Sequence, residues 1–242
     1  SHAPTSHGTG DPGLASVSTV NPEFGSGSSA SFPISVFVGL ITNDQVWDRV
    51  SGRLWASTPS RAGSLGNSVV PIDPLSGAMG APIFVGSEPN RLALSDDGQY
   101  LYVGLDGAFA VRRVNLRTRT AELQFALTVE GGLPARAIDM AVMPGNPRAL
   151  AVSRRAQQFS ESAGVAIYDD GVKRPQEAGG PLRASEPGIG PFEFGASGSI
   201  IYGTNGQDLR VLSVDSTGAR EVTGAPGVLG LSYDLRYENG RI

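Results

Sequence analysis

The stretch Asn90–Thr120 sets the frame for the whole chain, because it holds a strand-turn-strand-turn-strand unit that returns elsewhere at a steady period. Leu92–Leu94 is a short apolar run, Ser95-Asp96-Asp97-Gly98 is a turn rich in residues that tolerate a left-handed backbone, and Tyr100–Val103 is aromatic and β-branched. Asp106-Gly107 turns the chain again, and Ala110–Leu116 supplies a third strand before the polar corner Arg117–Thr120. Aligned on the second strand, the repeat anchors are Leu54-Trp55-Ala56, Leu101-Tyr102-Val103, Leu150-Ala151-Val152, Ile201-Tyr202-Gly203 and finally Ile242, at spacings of roughly 41 to 51 residues. Each third strand closes on Asp or Asn followed by Ser, Thr or Gly: Asp73, Asn115, Asp169 and Asp215. That period and those turns predict an all-β chain, a β-propeller of four-stranded blades, with four blades and the start of a fifth over residues 39–242.

Composition agrees with many turns and short strands. The 242 residues include 33 Gly and 17 Pro, with 7% aromatic and 17% charged residues. Net charge is −4, Lys173 is the single lysine, and no basic run exceeds a pair, which argues against a nucleic-acid partner. Cysteine is absent, so disulfides, thiolate nucleophiles and cysteine-ligated zinc are excluded. No apolar run reaches the roughly 18 residues of a membrane span. Residues 1–15 read as a flexible lead, and residues 16–38 as a hairpin in which Val17, Thr19 and Val20 face an alternating Phe32, Ile34 and Val36.

Two resemblances extend this reading. The run Val20-Asn21-Pro22-Glu23-Phe24 with its Gly25–Ser29 loop and the Phe32–Val36 strand resembles the last hairpin of a bacterial Ig-like domain of the IPT/TIG type. Leu94–Val103 and Val211–Gly218 resemble the YVTN-type, lactonase-like propeller repeat, and Val142–Val152 does so with Pro144-Gly145-Asn146-Pro147 in place of its turn. The second resemblance implies a seven-bladed ring, so the rest of the protein's own chain is expected to complete the closure.

In a propeller the residues opening the first strand of each blade converge at one mouth of the central channel. Counted back from the anchors these are Asn43, Asn90 and Asp139, with Asp44 and Arg91 beside them and Glu193 and Asp234 close by. Such a ring of carboxylates and amides suits a hydrogen-bonded sugar or Ca²⁺; alternatively the residues cap strand starts and bond loop backbone. No other cofactor is expected. Trp55, Tyr102 and Tyr202 share one repeat position and are expected to fill the space between blades. The Arg154-Arg155 pair is expected to face a solvated loop, with an anion contact as the alternative. His2 and His7 both lie in the lead, so the repeats carry no histidine for a triad or a metal. Nothing in the spacing selects a catalytic carboxylate pair.

These features together suggest a non-catalytic, extracytoplasmic binding or adhesion module of a larger bacterial surface or secreted protein, with a carbohydrate or protein ligand. A lactonase-like hydrolase and a structural spacer are the alternatives.

Overall fold

The computed structural model describes residues 16–18, 35–157, 162–180 and 188–225. The turn chemistry of the repeat is realised locally. The carboxylate of Asp73 accepts the amides of Leu75 and Ser76, the side-chain oxygen of Asn115 accepts those of Arg117 and Thr118, and Asp215 accepts that of Thr217. In the first, second and fourth blades the third strand is thereby folded back on the fourth by the Asp or Asn at its end, whereas in the third blade Asp169 accepts the Arg174 guanidinium at 2.7 and 2.8 Å instead.

An antiparallel pair of short strands, β1 (Ser16–Ser18) and β2 (Ser35–Phe37), precedes four antiparallel blades. The first blade is β3 (Asp44–Asp48), β4 (Arg53–Thr58), β5 (Ser68–Ile72) and β6 (Ile83–Phe84). The second is β7 (Pro89–Leu94), β8 (Tyr100–Leu105), β9 (Ala110–Asn115) and β10 (Thr120–Ala126). In the third, β11 (Ala135–Val142), β12 (Ala149–Ala156), β13 (Gly164–Asp169) and β14 (Val172–Ala178) follow the same order, as do β15 (Phe192–Phe194), β16 (Ile200–Thr204), β17 (Leu209–Asp215) and β18 (Gly218–Ala225) in the fourth. The first strands β3, β7, β11 and β15 lie beside one another in succession. The outer strands β14 and β18 also meet, through a single parallel bridge between Gln176 and Gly218. Gly218 sits at φ +132°, and a Cβ there would fall 2.0 Å from the Gln176 carbonyl oxygen, so this contact requires glycine.

Apolar clusters fill the spaces between blades. Trp55, Val69, Leu92 and Leu101 join the first blade to the second; Tyr102, Val111, Ala137, Met140 and Leu150 join the second to the third. At the third interface the anchor is Ala151, too small for the gap, and Phe192 and Phe194 of the next blade supply the missing volume beside Ile189 and Leu212. Of the three aromatic anchors, Trp55 and Tyr102 are buried at 3% and 1% exposure, whereas Tyr202 on the fourth blade is only half-buried. Val36, Val38 and Leu40 pack against Ala56, Val70 and Ile72 on the other side of the first blade.

Candidate functional site

β3, β7, β11 and β15 run in the same direction, so the residues that open them gather at one end of the sheets, as does the β8–β9 turn. The strand pairing shows how the expected ring residues relate. Asp44 lies opposite Ser57 and Asp139 opposite Ser153. The first hairpin of the third blade, with its Pro144–Pro147 turn, spans one residue more than its counterparts, since Leu150 pairs with Val142 where Leu101 pairs with Leu94. Counting back from the anchor therefore misplaces one residue: Asp139 is the partner of Asp44 in the repeat, not of Asn43 and Asn90.

The Asp/Ser pair links blades. One oxygen of Asp44 accepts the amide of Gln45 and the other that of Leu92 in the next blade, both at 2.9 Å; Asp139 does the same with Met140 and Phe192, again at 2.9 Å. Ser57 donates to the Asn90 carbonyl at 2.7 Å, and Ser153 to that of Ile189 at 2.6 Å. Both aspartates are buried, at 5% and 8% exposure. Asn43 reaches across to the Pro89 carbonyl at 2.8 Å. These are contacts of side chain to backbone that hold successive first strands in register. Glu193 pairs with Tyr202, two positions deeper into its strand than Asp139 is in its own, and Asp234 lies outside the described residues.

Asp139→Ala is expected to lower stability by about 2–4 kcal/mol, because two buried amides lose their acceptor at once. Asp139→Asn, which retains one acceptor oxygen, is expected to lose about half of that. Urea denaturation of the three proteins side by side measures the difference; a loss under ~0.5 kcal/mol for the alanine variant contradicts the linking role.

The second blade departs from the Asp/Ser pattern. Between the pairs Pro89–Leu105 and Leu92–Val103, the two residues Asn90 and Arg91 oppose the single Gly104, a bulge that re-aims the strand end. Gly104 sits close to the third blade, since a Cβ there would stand 3.3 Å from the Cβ of Ala137, a tight approach. Asn90 donates to one oxygen of Asp106 in the β8–β9 turn at 2.8 Å, while the other Asp106 oxygen is buried without a hydrogen-bond partner among the described residues. Arg91, Arg136 and Arg155 all act electrostatically on this carboxyl. Burial nevertheless prevails over the Asn90 hydrogen bond and the three positive charges, and the Asp106 carboxyl titrates above its ordinary value.

Arg136 and Arg155 face each other directly across β11 and β12, and both are exposed. The Arg136 guanidinium stands 5.3 Å from the centre of the Phe109 ring. Phe109 itself adopts φ +49°, an uncommon conformation for an aromatic residue. The Arg154-Arg155 pair thus splits, contrary to the solvated-loop expectation for both. Arg154 is fully buried, with Nη1 donating to the Thr128 carbonyl at 2.6 Å and Nη2 to Glu177 at 2.9 Å. Strand alternation explains the split: neighbours in sequence point to opposite faces. A cavity of about 610 Å³ opens at the same end of the third blade, walled by Val129, Leu133, Ala163 and Ala178 and carrying the carboxylates of Glu130 and Glu177. Among the described residues no group of three His, Cys, Asp or Glu side chains is placed to hold a metal ion.

No family model matches this chain, and neither does any curated protein. Among solved structures it is similar to the Cps50 (Swd1) β-propeller domain of Myceliophteria thermophila, with a TM-score of 0.64 and 14% identity over 82% of this chain and 60% of that one. It is also similar to the hydrazine synthase of Kuenenia stuttgartiensis, at a TM-score of 0.53 and 17% identity over 72% of this chain and 46% of that one. The chain folds as a β-propeller. It spans less than two thirds of either neighbour, and at these identities the likeness speaks for the fold alone.

Asp106, Arg136 and Arg155 were not among the ring residues expected from sequence, although the Arg154-Arg155 pair was singled out. In the propeller they belong to a turn, a strand start and a strand end from two blades. Their meeting point depends on the bulge at Asn90-Arg91 and on the side of β12 that each arginine takes, neither of which a count along the chain can supply.

Proposed function

We propose that this propeller is a non-catalytic binding module whose ligand lies across the end where the first strands begin, at the junction of the second and third blades. The observation that carries the reading is the exposed Arg136-Arg155 pair beside Arg91, Asp106 and the strained Phe109, next to a cavity of about 610 Å³ on the same end. Loops held by rigid strands are where recognition is normally placed, and strain kept at a non-glycine residue marks positions held for a purpose other than stability. The ligand is a carbohydrate or a protein, and the module belongs to an extracytoplasmic, surface-attached or secreted protein, in keeping with the repeat resemblance. Asn43, Asp44 and Asp139 are proposed to support this surface by holding blade register, with Asn90 and Arg91 contacting the ligand.

A panel of soluble glycans and peptides, screened by thermal midpoint, tests the proposal, since a ligand of the native state raises the midpoint. At least one compound is expected to do so. Ala108→Trp, in the exposed β8–β9 turn, should abolish that shift by occupying the surface, while Arg117→Trp at the opposite end of the blade should leave it intact. A ligand equally insensitive to both substitutions places recognition elsewhere, and hydrolysis of lactones by the same sample replaces the binding reading with an enzymatic one.

A further inference from the structure

The Arg136 guanidinium lies 5.3 Å from the Phe109 ring of the second blade, Arg155 pairs with Arg136 across the strands, and Arg91 opens the neighbouring first strand, yet none of the three closes an ion pair or donates a side-chain hydrogen bond to a described residue. Arg136 and Arg155 are directly opposed across a strand pair, where like charges destabilise a sheet. Arg91 joins them from the second blade, at the repeat position where the first and third blades carry Asp44 and Asp139. No hydrogen bond joins Asp106 to these arginines. Asp106 directs one oxygen to Asn90 at 2.8 Å and buries the other among the described residues. A chain with 23 acidic residues has ample carboxylates with which to satisfy these arginines, and other arginines are so satisfied: Arg113 by Asp170, Arg154 by Glu177 and Arg174 by Asp169.

Building on the binding reading above, we propose that Arg91, Arg136 and Arg155 form a subsite for an oxyanion group of the ligand, a carboxylate, sulfate or phosphate, held beside Asp106 between the second and third blades. Guanidinium forks match the oxygen spacing of such groups and are always charged. The Phe109 ring under Arg136 restricts that side chain to the exposed end, so less freedom is lost on binding. Asp106 sets the affinity from below. Its ionised form competes for the arginines, so the subsite binds more tightly when this carboxyl is neutral.

Calorimetric titration of the protein with sodium sulfate, sodium phosphate and sodium succinate, at constant ionic strength held with chloride, reads the subsite directly. At least one of the three is expected to bind the unaltered protein. The double variant Arg136→Gln with Arg155→Gln, exposed positions whose replacement opens no cavity, should weaken that binding roughly ten-fold or more, the consequence of losing charge-assisted hydrogen bonds. Asp106→Asn should tighten it, and Arg117→Ala at the opposite end should leave it unchanged. Which of the three anions binds best separates a carboxylate-bearing ligand from a sulfated or phosphorylated one. The inference is overturned if none of the three binds, or if the double variant binds as the unaltered protein does. In either case a glycan or peptide whose midpoint shift is lost in Ala108→Trp shows that the binding surface stands without an oxyanion subsite.

Discussion

Replacing Tyr102 by alanine is expected to destabilise the protein by about 3–5 kcal/mol, the usual scale for deleting a buried aromatic side chain. Tyr102 is 1% exposed in the cluster that joins the second blade to the third, with Ala137 and Met140 of β11 and Leu150 and Val152 of β12 in the same cluster. Its hydroxyl donates to the Pro147 carbonyl at 2.9 Å, so the residue is held by apolar area and by a bond to the neighbouring blade's first turn. Neither the Gly104–Ala137 contact nor the Arg113–Asp170 ion pair, the other links across this junction, can fill the space the ring leaves. Tyr102→Phe separates the two contributions: it should lose only about 1 kcal/mol, the net worth of one hydrogen bond. Denaturant titration of the three proteins measures both steps. A loss below roughly 1 kcal/mol for the alanine variant would mean that the two blades are not held through this residue.

The second large effect is expected at Arg154, where alanine should cost about 3–5 kcal/mol by stranding the partners of a buried charge. The side chain is fully enclosed, and its hydrogen bonds to Thr128 and Glu177 tie the second strand of the third blade to the segment leading into β11 and to the outer strand β14. Glu177 would retain Lys173, at 2.7 Å, but that pair is exposed on the lysine side and adds little. The pH dependence supplies a second readout. Burial pushes the Glu177 carboxyl up, but the Lys173 hydrogen bond and the charge of Arg154 together hold it below its ordinary value. A carboxylate with a depressed folded-state value contributes stability that is present above its unfolded value and is lost as pH falls through the folded one. Part of the acid sensitivity of the native protein should therefore disappear in Arg154→Ala. Unchanged acid sensitivity together with a small loss of stability would remove Arg154 from the framework of the third blade.

Such electrostatic links differ from blade to blade although the strands repeat. The first and third blades use an aspartate and a serine to hold the backbone of the next first strand, while the second has Asn90-Arg91 opposite Gly104 and instead reaches the third through Tyr102 and Arg113. A repeat that varies at one position in this way has a particular spot released from structural duty. At that spot the exposed arginines collect.

The sequence by itself determined the blades and their turns. Strand alternation, the Asp or Asn that ends the third strands and the recurrent aromatic at Trp55 and Tyr102 are local signals, each readable within a few residues because strand pleat and turn hydrogen bonds are short-range physics. Asp44, Asn90, Arg91 and Asp139 were likewise legible as residues at one end of the first strands. Their roles were decided only by the tertiary structure. Whether a carboxylate binds the next blade's backbone or faces solvent depends on register, and one extra residue in the Pro144–Pro147 hairpin moves Asp139 into line with Asp44. The separation of Arg154 from Arg155, the bulge that presents Arg91 and the approach of Asp106 to arginines of two blades depend on contacts between residues far apart in the chain. Those contacts exist only once neighbouring blades have packed, because the packing of Tyr102 against Ala137 and Met140 sets how closely one strand end can approach the next.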